Sequence, residues 1–215
     1  MSQKYRKNRK SIPVQKRGLI LCEGETEENY FKGLILQEQY RSQFASIDIK
    51  IYKPKNHSPL GLVTEAKDKI KEAIRLKDPY SFAWVVFDRD GHQNLAQSFQ
   101  DAKTNKLEIN IAFTVTCFEY FVLLHFEKTT KSFNKCDDVI HEVRKHIPDY
   151  EKASNIFNTL AHYHETGLKN SDWCLKQCEN DLLSGIKPFE ISAYSNIHEI
   201  VTFLYKQIKD LDNNE

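Results

Sequence analysis

Two short apolar runs limit what this chain can fold into. Gly18-Leu-Ile-Leu-Cys22 stops at Glu23-Gly24-Glu25, and Phe82-Ala-Trp-Val-Val-Phe87 stops at Asp88-Arg-Asp-Gly91. Each is as long as a strand and lacks polar alternation, the pattern of a strand buried on both faces of a parallel sheet. Ligands of open parallel sheets bind just beyond the carboxyl ends of such strands. Glu23, Asp88 and Asp90 are therefore expected in one cleft. Carboxylates gathered without a charge partner are costly unless a cation joins them, and hard oxygen ligands favour Mg²⁺ or Mn²⁺ over zinc.

The remaining pattern completes an α/β fold. Tyr30, Phe31, Leu34 and Ile35 recur at helical spacing, predicting a helix over 26–41. Residues 45–52 alternate apolar and polar, as a half-exposed edge strand does. A helix is predicted from Leu60 to Lys77, a polar helix over 93–107, a fourth strand over 109–117 and an apolar helix over 118–126. Beyond residue 128 the strand signal ends. Helices are expected over 135–147, 150–165, 171–184 and 193–211, with breaks at Pro148, Gly167 and 185–188. The expected architecture is a small four-stranded parallel sheet flanked by helices, with a helical C-terminal extension. Three regions follow: a basic flexible arm (1–17), an α/β domain (18–128) and a helical region (129–215).

Charge is uneven along the chain. The net charge is +1, yet residues 1–17 carry seven basic residues and no acid, leaving 24 basic against 30 acidic residues in the remainder. Lys7, Arg9 and Lys10 in this arm suit contact with nucleic-acid phosphates, or the arm is a solubilising leader. Lys53 and Lys55 lie in a turn-rich loop that either touches a phosphate backbone or is simply solvated. No apolar run approaches the length of a membrane span, and the basic N-terminus lacks a signal-peptide core, so a cytoplasmic protein is expected. The five cysteines have no Cys-x-x-Cys spacing and read as reduced, mostly buried thiols.

Bland readings exist for several acids. Glu25, Glu27 and Glu28 suit the first turn of a helix, and Asp90-Gly91 suits a turn. Gly24 is accounted for by the dihedrals of a sharp strand-to-helix turn. Glu119, directly after the fourth strand, is either a helix-start acid or a group close to the metal. His92 is either a surface residue or a partner for a water or phosphate, and His125 reads as a packing residue. Lys145, His146, Tyr150, Lys152 and His162–Glu165 are candidates for a substrate-facing surface.

A strand ending in Glu-Gly followed by one ending in Asp-x-Asp resembles the Toprim domain of topoisomerases, primases and overcoming-lysogenization-defect nucleases. The spelling Leu21-Cys-Glu-Gly-Glu-Thr-Glu-Glu-Asn-Tyr-Phe31, then Phe87-Asp-Arg-Asp-Gly-His92, then Thr116-Cys-Phe-Glu-Tyr-Phe121 resembles the RloB-like family, a Toprim group linked to phage-defence loci. The resemblance implies a Toprim-like fold and a metal-dependent nuclease acting on DNA or RNA. It implies Glu23, Asp88 and Asp90 as metal ligands or catalytic groups, with Glu23 alternatively transferring a proton. A second metal-binding glutamate of the related nucleases maps onto Glu27, and Glu119 falls within the family signature. The resemblance also implies a separately encoded ABC/AAA-type ATPase as partner, and no Gly-x-x-x-x-Gly-Lys-Ser/Thr motif occurs in this sequence. A non-catalytic nucleic-acid-binding subunit and a small-nucleotide processor are the alternatives.

Overall fold

The computed structural model describes residues 16–212. Four strands, β1 (Arg17–Cys22), β2 (Asp48–Tyr52), β3 (Phe82–Asp88) and β4 (Ile109–Thr114), form one sheet in the order β2-β1-β3-β4. Every pairing is parallel. β1 and β3 are central, which is why they read as unbroken apolar runs. Leu19, Leu21, Ala83, Val85 and Phe87 face one helical layer, while Ile20, Cys22, Trp84 and Val86 face the other. Burying a large apolar side chain contributes roughly 1.5–3 kcal/mol, so the two central strands anchor both halves of the core. β2, at the edge, is half-exposed along its length, as its alternation predicts.

The first layer contains α3 (Pro59–Arg75) and α4 (Leu95–Lys103). Leu62, Val63, Ala66 and Ile70 of α3 join Leu95 and Ala102 of α4 in its core. Ser58 caps α3 by accepting the Gly61 N–H at 3.1 Å, with Pro59 at the first helical position. The opposite layer holds α1 (Glu25–Ile35), a short α2 (Arg41–Ala45), α5 (Glu119–Leu124) and α6 (Cys136–Arg144). α7 (Phe157–Ala161), α8 (His164–Gln177), α9 (Glu179–Leu183) and α10 (Ile197–Asp212) complete the chain, which makes a 3-10 turn at Pro188–Glu190. Apolar residues of α1, α5, α6, α7 and α10 share one cluster. The architecture is α/β, consistent with a Toprim-like fold.

Several expected boundaries shift. The helix predicted over 26–41 ends at Ile35, and the chain turns so that Tyr40 and Phe44 pack against Tyr205 of α10, at ring distances of 4.9 and 6.3 Å. Of the helix predicted over 150–165, only α7 forms before α8 begins. The expected break at Gly167 lies inside α8, where a Cβ would meet His125 Cδ2 at 2.5 Å; this glycine makes room for a packed ring. The helix expected over 171–184 divides at Cys178. His125 is a packing residue, fully buried, with Nδ1 3.0 Å from the Phe121 carbonyl.

Arg17 pairs with Asp48 at 3.0 Å and Asp78 at 2.8 Å, and Lys16 donates to Gln207 Oε1 at 3.2 Å. Lys7, Arg9 and Lys10 lie outside the described residues. No helix among the described residues is long and apolar enough to cross a membrane.

The free edge of β4 is covered by the segment leading into α10. Thr114 bridges Ser195, and the Val115 N–H donates to the Tyr194 carbonyl at 2.9 Å. Asn196 then acts as a short side-chain strand: its Oδ1 accepts the Phe113 N–H at 2.6 Å and its Nδ2 donates to the Ile111 carbonyl at 3.0 Å. An open edge would leave these backbone groups unpaired. Asn196→Ala strips a buried N–H of its side-chain acceptor and is expected to cost about 1–3 kcal/mol, read as a lower urea midpoint at unchanged m-value.

Candidate metal centre

The register of the two central strands builds the centre. Cys22 pairs with Val86, and the Glu23 N–H donates to the Val86 carbonyl at 2.9 Å, so Glu23 leaves β1 beside the end of β3. Its Oε2 accepts the Asp88 N–H at 3.3 Å. Its Oε1 lies 2.5 Å from Nε2 of His92. The chain returns His92 to this position through a turn in which Gly91 has a φ of +70°, a conformation that favours glycine. Asp88 Oδ1 is buried and has no hydrogen-bond partner. Asp90 is exposed, with its N–H donating to the Thr116 carbonyl at 3.2 Å.

α1 contributes Glu27, which is 5% exposed. Gly24 has an extended backbone (φ −116°, ψ 173°) that any residue adopts. What glycine supplies here is space, contrary to the turn-dihedral expectation: a Cβ would stand 2.6 Å from Glu27 Oε2, and that carboxylate would have to move. Glu119 begins α5 at 2% exposure, with Oε1 accepting the Tyr150 hydroxyl at 2.9 Å and Oε2 3.2 Å from Cys136 Sγ. Glu23, Glu27, Asp88, Asp90 and Glu119 line one cleft of about 450 Å³.

Basic residues from outside the two acidic motifs face this cleft as well. Lys53, His57 and Lys152 line it. His57 Nδ1 lies 2.9 Å from the Glu23 carbonyl, and Lys53 pairs with Glu25 at 2.6 Å. Lys152 sits on a loop clamped to α1: the Ala153 N–H donates to Thr26 Oγ1 at 3.0 Å, and Asn29 Nδ2 donates to the Ala153 carbonyl at 2.7 Å. Ala153 has a φ of +61°. Sequence alone gives no sign that Thr26 and Asn29 tether this loop, because a polar residue early in a helix carries no signal of a contact over a hundred residues away. Lys55 lies on another surface, its N–H donating to Glu65 Oε2 at 2.9 Å. Among the other surface candidates, Tyr150 holds Glu119, Lys145 pairs with Glu142 at 2.5 Å, His146 binds Glu127 at 2.8 Å, and His164 lies 2.9 Å from the Tyr205 hydroxyl.

The expectation of five reduced thiols fails at one pair. Cys117 and Cys136 are joined as a disulfide with their Cα atoms 5.6 Å apart, while Cys22, Cys174 and Cys178 are free and buried. Nineteen residues separate the pair, a spacing with no recognisable cysteine pattern.

Burial and mutual repulsion push the acids towards their neutral forms. Burial raises the pKa of Asp88 well above the usual range, and Glu23, Glu27, Asp90 and Glu119 push it further. Glu23 is also raised by burial; the neighbouring His92 opposes this, as does the Asp88 N–H. Glu27 is raised by burial to about 7, with Glu119 and Glu23 adding to the shift while its own N–H and Lys152 counter it. Ligand atoms of Glu23, Asp88 and His92 lie within 4.8 Å of one another. An unpartnered buried carboxylate oxygen among such neighbours fits a hard divalent cation, which Glu23 and Asp88 would hold, with Glu27 and Asp90 lining the same cleft.

A family model described as RloB-like protein matches residues 18–204. The chain belongs to the RloB-like family. The matched span takes in the sheet of this RloB-like chain from Gly18 onward, the acidic cleft, the Lys152 loop and the first half of α10. Comparison with curated proteins gives no match, and comparison with solved structures gives none.

The raised acids set a pH dependence whose sign is fixed. Glu27 has a folded pKa of about 7 against an ordinary 4.5, so the folded state holds its proton after the unfolded state has released one. This contribution is fully present below about pH 4.5 and is lost as pH rises through 7. For metal-free protein, Glu27→Gln is expected to flatten the fall in unfolding free energy between pH 4.5 and 8, by on the order of 3 kcal/mol over that range. Urea titrations at several pH values in chelator provide the check.

Proposed function

We propose that this RloB-like protein is a Toprim-type nuclease that hydrolyses phosphodiester bonds of DNA or RNA with Mg²⁺ or Mn²⁺, and that it serves phage defence. The observation that carries the reading is the acidic cleft at the carboxyl ends of β1 and β3, where Asp88 Oδ1 is buried without a partner beside Glu23 and Glu27. A purely structural cluster would be expected to pair that oxygen. In this reading Glu23, Asp88 and Asp90 hold the cation, with Glu27 assisting. The bound cation would neutralise phosphate charge and lower the pKa of a bound water.

The protein's own residues supply the rest. His92 orients the Glu23 carboxylate through Nε2. Glu27 is buried with a pKa near neutrality, so it can hold or release a proton at working pH. Lys53, between the two acidic motifs in sequence, and Lys152, after them, offer positive charge to a phosphodiester backbone, and Lys7, Arg9 and Lys10 add to the basic charge available for phosphates. The resemblance to the RloB-like group suggests a separately encoded ABC/AAA-type ATPase as the partner that would hydrolyse nucleotide.

Mn²⁺ or Mg²⁺ is expected to raise the unfolding temperature, because a ligand that binds only the folded state stabilises it. The Asp88→Asn/Asp90→Asn double variant should lose that shift. Glu23→Ala and Asp88→Ala should abolish cleavage of single- and double-stranded DNA and RNA while circular dichroism stays native. A wild type that binds nucleic acid with no metal-dependent shift would instead be a binding subunit. Removing residues 1–15 is expected to flatten the salt dependence of nucleic-acid binding, since fewer phosphate counterions are released; an unchanged slope would make the arm a leader only.

A further inference from the structure

We propose that the Cys117–Cys136 bond is a reversible redox control on the cation affinity of the acidic cleft, an inference that rests on reading that cleft as a metal site. Cys117 stands two residues before Glu119, and Cys136 is the first residue of α6. Their Cα separation of 5.6 Å is within the range a disulfide spans without moving the backbone. Cys136 Sγ lies 3.2 Å from Glu119 Oε2, and the other oxygen of that carboxylate is held by Tyr150. Glu119 in turn acts electrostatically on both Asp88 and Glu27. One covalent bond therefore adjoins a carboxylate that the metal-binding acids feel.

The bond is accessible from one side. Cys117 is 2% exposed, whereas Cys136 is half-exposed and lines a cleft of about 440 Å³ together with Arg89, Lys135 and Asp90. Asp90 also lines the acidic cleft, so the two cavities meet at that residue. The free cysteines at 22, 174 and 178 are buried. Opening the bond leaves the intervening segment held by other contacts: Thr116 Oγ1 donates to the Phe133 carbonyl at 2.7 Å, and the Tyr120 hydroxyl donates to the Thr129 carbonyl at 3.0 Å. The two redox states thus differ locally, at Glu119.

The exchange needs a dithiol, or two molecules of a monothiol such as glutathione, as reductant or, in reverse, a small disulfide as oxidant. A reductant thiolate attacks Cys136 Sγ, the bond to Cys117 breaks, and Cys117 leaves as a thiolate that takes a proton. The reductant's second thiolate then attacks the reductant sulfur in the mixed disulfide. Cys136 is released, takes the second proton, and the reductant ends as a disulfide. Two electrons and two protons pass to the protein. In the disulfide neither sulfur carries hydrogen, so Glu119 Oε2 receives no bond from Cys136 and its charge faces the cleft. In the dithiol, Cys136 S–H donates to that oxygen and competes with a cation for the same charge. The oxidised protein binds the cation more tightly.

The test equilibrates the full chain in glutathione buffers of graded potential, maps thiols by alkylation and mass spectrometry, and titrates Mn²⁺ by thermal unfolding. A peptide linking 117 to 136 should appear in one two-electron transition. Half-saturating Mn²⁺ should be about threefold or more lower in the oxidised protein, the scale of one hydrogen bond. Cys136→Ala, with no donor, should follow the oxidised wild type at every potential, and Cys136→Ser, with a hydroxyl donor, the reduced one. Equal Mn²⁺ midpoints in both redox states, or no linked peptide at any potential, overturn the redox control and leave the metal reading standing. No Mn²⁺ shift in either state overturns the metal reading and the control with it. Uptake of one Zn²⁺ that shields both thiols of the reduced chain assigns Cys117, Glu119 and Cys136 to a metal and overturns the control.

Discussion

Repulsion among carboxylates held out of water is the constraint on which the rest of this molecule turns. Two unit charges about 4 Å apart repel by roughly 4 kcal/mol at an effective dielectric near 20. Glu23, Glu27 and Asp88 all have their pKa raised, and in each case burial is the leading cause. A fold that merely needed polar groups at its strand ends would leave them in solvent. Here the sheet and α1 bring them inward, and the opposing elements, His92 on Glu23 and Lys152 across from Glu27, offset only part of the charge. The remaining deficit is what a divalent cation, a proton or a phosphodiester with its counterion could balance.

The scaffold resists that repulsion because the acids hang from its most buried strands. β1 and β3 are enclosed on both faces, and the apolar clusters on either side draw on helices from across the chain. The helical region after residue 128 contributes directly. Residues 194–196 run along the open edge of β4, Tyr150 fastens Glu119, and the loop carrying Lys152 is clamped to Thr26 and Asn29 at the start of α1. The same helix that presents Glu27 thereby fixes the loop that carries Lys152. Two hydrogen bonds position the backbones that bear opposite charges in the cleft.

Much of the sheet was legible because its signals are local. An apolar run that stops at an acid and a glycine marks both a buried strand and the place where it leaves the sheet, and the structure brings Glu23, Asp88, Asp90, Glu27 and Glu119 to one cleft. What escaped was set by distant packing. Nothing near residue 36 stops a helix; α1 ends so that Tyr40 and Phe44 meet Tyr205. Gly167 reads as a break and acts as a space for His125. The cysteines at 117 and 136 belong to no spacing pattern, since their approach depends on how α6 docks beside α5. Lys152 was one candidate among several on the helical region, and only its clamped loop separates it from Lys145, which pairs with Glu142 elsewhere.

Gly24 shows how closely backbone and charge are joined in this arrangement. Its dihedrals are open to any residue, so conformational freedom is not what the position requires. The Glu27 carboxylate folds back over the start of α1, near enough that a Cβ on residue 24 would stand 2.6 Å from Oε2. In that position it accepts from its own N–H and lies where the positive end of a helix favours negative charge. It also shares the cleft with Glu23 and Glu119, whose charges push its proton affinity up. The helix start and the neighbouring acids therefore pull in opposite directions on one side chain. Glu23, Gly24 and Glu27 act as one device: the strand end supplies a carboxylate, the missing side chain supplies room, and the first helical turn supplies a second carboxylate whose pKa of about 7 lets it change charge when a cation or a proton arrives.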